Sequence, residues 1–126
     1  MAVGGDSARK RTIYQDVSSF TKIVVGTADY TLVTGKTNYT IYVQRIITWI
    51  NTSAAQSISF EDSTTGYEIA EIPSSPGDNT RWDFDFGPEG VPLTSGENLF
   101  LDQSAAGNVG HVSVLAYLKP DNAVAA

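Results

Sequence analysis

A chain of 126 residues, 41% hydrophobic and 10% aromatic, is one domain's worth and can bury a core without staples. It has no cysteine and one histidine, His111, which excludes disulfides, thiolate zinc sites, iron–sulfur clusters, cysteine nucleophiles and any site needing two imidazoles from one chain. Fourteen acidic against eight basic residues leave a net charge of −6, a poor balance for nucleic acid, whose phosphates need cations.

The chain opens on MAVGGDSARKRT, with no apolar run of the signal-peptide kind. No stretch is long enough to span a bilayer as a helix. The expectation is a protein made and kept inside a cell, or released by lysis or assembly, with no membrane partner. Residues 1–11 carry Arg9, Lys10 and Arg11 against Asp6, or +2. The remainder holds five basic and thirteen acidic residues, or −8. The small, polar, glycine-containing opening is read as a flexible arm over 1–11. Such an arm is either an idle terminus or one that orders against an acidic surface.

Residues 12–119 form a single β domain. Val, Ile, Tyr and Phe recur with period two, and Gly, Pro, Asn and Asp interrupt them. No segment keeps a 3.6-residue apolar period. Strands are predicted at 12–17, 20–25 and 30–33, with a turn at 34–37. The longest strand is predicted at Tyr39–Ile50. Its two alternating faces, Tyr39/Ile41/Val43/Arg45/Ile47/Trp49 and Thr40/Tyr42/Gln44/Ile46/Thr48/Ile50, are both partly apolar, which predicts a central strand or one covered on both sides.

Further strands are predicted at 57–61 and 67–72, around a turn at 62–66. The break at 73–78, Pro-Ser-Ser-Pro-Gly-Asp, is clear. Residues 80–86 have the cleanest alternation: Trp82, Phe84 and Phe86 point one way and Arg81, Asp83 and Asp85 the other. Burying those three aromatics is worth on the order of 6–9 kcal/mol before entropy. After a Gly-Pro-Glu-Gly turn, 91–93 is a short edge piece, because Pro92 has no N–H for a ladder. Strands at 98–103 and 109–119 complete the set, and 120–126 is a tail. Eight or nine short strands predict a single-domain antiparallel β-sandwich, jelly-roll-like, behind a flexible N-terminal arm.

Little chemistry is on offer. His111 lies within a predicted strand, and no Gly-x-Ser-x-Gly elbow presents a serine, so a structural or surface histidine is expected. Asp83, Asp85 and Glu89 are the best acidic constellation. Alternate strand carboxylates lie within about 7 Å of each other, a spacing open to Ca²⁺ or to a glycosidase pair. A solvated or partner-facing acidic face is the simpler expectation, so no catalytic residue, no metal and no cofactor is assigned. Trp49, Trp82 and the six tyrosines raise a sugar-stacking face, but the alternation of Trp82 and the two-sided strand of Trp49 favour core packing. No glycine-rich loop leads into a helix to cradle phosphate. The Asn38-Tyr-Thr40 and Asn51-Thr-Ser53 sequons lack a signal sequence and are read as chance matches.

The order of features in 31–119 resembles small jelly-roll virion proteins of tailed bacteriophages, notably head decoration (cement) proteins. The stretches that carry this are Thr31-Leu-Val-Thr-Gly-Lys36, the long strand to Ile50, Ser57-Ile-Ser-Phe-Glu-Asp62, the run from Trp82 to Leu99 with its Gly-Pro turn and Thr94-Ser-Gly96, and Asn108-Val-Gly-His-Val-Ser-Val-Leu-Ala-Tyr117. The resemblance covers about 70% of the chain and includes no catalytic motif. It implies a non-enzymatic protein on the capsid exterior of a virion, made in the host cytoplasm. Such proteins bind the major capsid protein and clamp adjacent capsomers, many as homo-oligomeric trimers. It gives Arg9, Lys10 and Arg11 a role as capsid contacts. The rival expectations are a tail, fibre or baseplate module binding surface carbohydrate, and an enzyme using Asp83, Asp85 and Glu89.

Overall fold

A computed structural model of the chain describes residues 17–24, 29–50, 58–63, 66–72, 80–103 and 109–122. Nine strands and no helix occur among them: β1 (Val17–Val24), β2 (Asp29–Val33), β3 (Tyr39–Ile50), β4 (Ile58–Asp62), β5 (Glu68–Ile72), β6 (Thr80–Asp85), β7 (Val91–Pro92), β8 (Leu99–Gln103) and β9 (Val109–Pro120). They form two antiparallel sheets. One has the order β1-β9-β3-β6, with β7 also on β3; the other has the order β2-β8-β4-β5.

The pairing is nested. Leaving aside the two-residue β7, the first strand lies beside the last, β2 beside β8, β3 beside β6, and β4 beside β5. Contacts between β3 and β9 and between β4 and β8 then close each sheet. This is a long hairpin rolled on itself, the jelly roll that the alternation predicts.

The predicted break between 12–17 and 20–25 is not found within the described residues. β1 runs unbroken, with Ser18 opposite Tyr117 and Ser19 opposite Ala116. A continuous partner ladder on β9 overrides the low strand propensity of two serines.

The core lies between the sheets. Ile41, Val43, Ile46 and Ile50 of β3 and Val112, Val114 and Ala116 of β9 meet Ile58, Phe60, Leu99, Leu101 and Ile72 of the other sheet, all buried. Each such side chain contributes about 1.5–3 kcal/mol of burial. Phe84 extends the contact, its ring 6.1 Å from that of Phe60. Trp82, Phe84 and Phe86 pack against the core, while Arg81, Asp83 and Asp85 are exposed, as their alternation predicts.

β3 does not keep one alternation. Val43 pairs with Ala116 and Arg45 with Leu115, so Gln44 is an extra residue, a β-bulge. Ile41 and Val43 face the core before it, and Ile46, Thr48 and Ile50 after it. The two half-apolar faces of the sequence are one buried face whose parity switches at Gln44. Trp49 therefore stands on the outer side, half-buried, and not in the core where the alternation predicts it.

The β6–β7 connection, 86–90, lies beside residues 43–45 of β3, whereas several of the other described loops gather at one end. Val17 opposes Leu118 and Tyr39 opposes Pro120, so β1 begins and β9 ends there, beside the turn 34–38 and the segment 93–98. These parts are stitched together. Asn98 Oδ1 accepts the Gly35 N–H at 2.6 Å, and Ser63 Oγ accepts the Asn98 N–H at 3.1 Å. Asp121 accepts from the hydroxyls of Thr40 and Ser95, and its N–H donates to Asn38 O. Asn38 adopts a φ of 67°, a conformation that asparagine tolerates better than most residues. Buried Asp62 accepts from Thr94 Oγ1 at 2.7 Å.

Candidate interaction faces

A sandwich presents two outer faces, and here they differ in chemistry. On the β2-β8-β4-β5 sheet the register sets Asp29, Asp102, Ser59 and Glu71 in one cross-strand row and Thr31, Phe100, Glu61 and Glu68 in the next. Five of these eight are acidic, and the four strands contain no Lys or Arg. Crowded acids raise the cost of ionisation. Partial desolvation, a hydrogen bond with Asp29 and repulsion from Glu61 and Asp29 hold the Asp102 carboxyl above its ordinary value.

On the β1-β9-β3-β6 sheet the outer rows read Tyr42–Tyr117, Arg45–Leu115, Ile47–Ser113 and Trp49–His111 across β3 and β9. On the β6 side Asp85 pairs with Arg45, Asp83 with Ile47 and Arg81 with Trp49. The centre is apolar and aromatic. The Tyr42 and Tyr117 rings stack 5.2 Å apart, and the Trp49 and His111 rings meet edge to face at 5.4 Å. Tyr117 is buried under the β6–β7 connection, its hydroxyl donating to Glu89 O at 2.8 Å. That burial, with Tyr42 and Glu89 nearby, raises its phenol pKa.

Charges flank that centre. Arg45 donates from Nε to Asp83 Oδ1 at 2.9 Å and from Nη2 to Oδ2 at 2.5 Å, and Arg81 reaches the same carboxylate at 3.4 Å. The Arg45 hydrogen bonds hold Asp83 below the usual carboxylate range. Arg81 lies over the Trp49 ring and Lys119 over the Tyr42 ring. Between these groups Gln44, Arg45, Asp85, Gly87, Pro88 and Leu115 line a shallow depression.

The sequence candidates fall as follows. Asp83 and Asp85 share the outer side of β6. Asp83 is engaged by two arginines, and Asp85 Oδ1 accepts the Gly87 N–H at 2.9 Å. Glu89 is exposed on the β6–β7 connection. No group of three or more His, Asp or Glu is placed to hold a metal among the described residues. His111 is half-buried on the outer face of β9, where its carbonyl accepts from Thr48 Oγ1 at 3.0 Å. Arg9, Lys10 and Arg11 lie outside the described residues, as do 12–16 and 123–126. The stripe of Tyr42, Ile47, Trp49 and Leu115 was beyond the sequence, because its common side is set by the bulge at Gln44.

No protein-family model matches the chain, and no curated protein does. Among solved structures, a likeness is found to a virus-like particle of the extra small virus of the giant freshwater prawn Macrobrachium rosenbergii. It covers 81% of this chain and 77% of that one, at 11% identity and a TM-score of 0.45.

Proposed function

We propose that the chain is a structural virion protein, a decoration or cement protein that binds the outer surface of a phage head and braces adjacent capsomers. The supporting observation is the split between the two outer faces of the roll. One has five acids among its eight outer-row residues and suits a surface that stays in water and keeps a coated particle soluble. The other carries an apolar and aromatic centre suited to protein contact. The stitched end of the sandwich adds to this: β1 begins there, beside the turn 34–38 and the segment 93–98. In this reading Arg9, Lys10 and Arg11 lie along the capsid, and many copies on one shell multiply a weak contact.

The carbohydrate-binding alternative needs open aromatic platforms. Trp49 and Tyr42 face outward, but Arg81 and Lys119 lie over their rings, which speaks for the protein-contact reading.

The test is co-sedimentation of the full chain with emptied, expanded heads prepared without it. Saturable binding, weakened on deleting residues 1–11, is expected. Absence of binding by the full chain overturns the proposal.

A further inference from the structure

We infer that the outer face of the β1-β9-β3-β6 sheet is the contact surface for a second copy of this chain, the two sheets meeting face to face about a two-fold axis. The inference rests on the reading of this face as a protein contact and assigns that contact to a second copy, which leaves the head to be met at the end of the sandwich where β1 begins.

Size is the first argument. β3 and β9 each run 12 residues. Strands of 8, 12, 12 and 6 residues, rising about 3.3 Å per residue and lying about 4.8 Å apart, give a four-strand face of roughly 600 Å². A stable interface covers about 800 Å² per partner. The face is thus of the right order, and its centre has the right composition: Tyr42, Ile47, Trp49 and Leu115 are all half-buried within one chain.

Charge is the second argument. Copies of a chain with net charge −6 repel unless their acidic surfaces point away from each other. The opposite sheet face carries five acids on strands that contain no Lys or Arg, so two of those faces repel each other. The inferred face carries Arg45, Arg81 and Lys119 with Asp83 and Asp85, and Lys22 stands in the row of Ser113 and Ile47, so both signs are present. A rotated copy can answer cations with acids, and both acidic faces remain in water.

Closure is the third. The two outer faces lie on opposite sides of the sandwich. Packing one on the other would add copies without end, whereas a face meeting itself closes at two.

Sedimentation of the full chain over micromolar to sub-millimolar concentrations tests this. A monomer–dimer equilibrium is expected. Ile47→Glu with Leu115→Glu should weaken it roughly tenfold or more, since both would bury charge at the contact centre. Phe100→Glu, on the other sheet, should leave it unchanged. Because the chain has no cysteine, Ile47→Cys supplies a readout that survives poor folding of the double variant. Under mild oxidation it should cross-link into dimers, and Thr31→Cys should not. A monomer throughout, a trimer, an open ladder of species, or cross-linking from Thr31→Cys alone overturns the inference.

Discussion

The Asn98 side chain accepts the backbone N–H of Gly35 at 2.6 Å, across 63 residues of sequence. The bond draws the β2–β3 turn against the segment that leads into β8. Gly35 lies so close to the Glu97 and Gly96 carbonyls that a Cβ would fall far inside van der Waals contact with backbone that cannot swing away. Gly35→Ala should therefore destabilise the fold by about 2–4 kcal/mol, as overpacking against rigid atoms does. Urea unfolding measures it, and an unchanged midpoint would show that these two loops are not locked together.

The bulge at Gln44 sets which side of β3 faces the core. Deleting Gln44 would remove the extra residue and leave a regular ladder, with Ile46, Thr48 and Ile50 still facing the core and Arg45, Ile47 and Trp49 still outward. The deletion should keep unfolding cooperative, at a cost of about 1–3 kcal/mol for the straightened strand and the lost bond from the Phe86 N–H to Gln44 O. Gln44→Ala keeps the residue count and should cost about 1 kcal/mol or less. Thermal melts of the two variants separate the effect of the bulge from that of the side chain, and loss of a cooperative transition on deletion would show that Gln44 is not the extra residue.

Two aspartates should respond to acid with opposite sign. Asp121 sits below its ordinary value of 3.8 because the hydroxyls of Ser95 and Thr40 bond its charged form. Its contribution is present above that value and is lost as pH falls through the lowered folded value. Asp121→Asn should lower the melting temperature at neutral pH, and the gap should close in strong acid. Asp102 sits above 3.8. Its ionisation opposes folding at neutral pH, and that cost is relieved as pH falls through the raised value. Asp102→Asn should therefore raise the neutral melting temperature, and the gain should shrink as pH falls toward 3.8. Melts from neutral to acid pH check both signs.

Thr94 donates its hydroxyl to the buried carboxylate of Asp62 at 2.7 Å. Thr94→Val keeps the shape and removes the donor, and should cost about 1–3 kcal/mol. Thr94→Ser should restore most of the loss in the same denaturation assay.

The local structure of this chain is legible in its sequence because it is written in short range. Period-two alternation and Gly/Pro punctuation place β3, β6 and β9 within a residue or two of their observed bounds. The order of strands in the sheets is not legible, because it rests on pairings such as Val17 with Leu118 that no local pattern encodes. Gln44 looks like any other alternating residue, so the outward turn of Trp49 emerges only from the ladder with β9. The acidic outer face was equally hidden. Asp29, Glu61, Glu71 and Asp102 lie on four separate strands, and the register alone brings them together.

The central claim is that this jelly roll coats the outside of a phage head. Cryo-electron microscopy of mature virus particles that incorporate the chain tests this most directly. The account predicts density for the sandwich in many ordered copies on the outer surface of the head, bridging neighbouring capsomers. Heads with a bare outer surface, or the sandwich found on the tail alone, would contradict it.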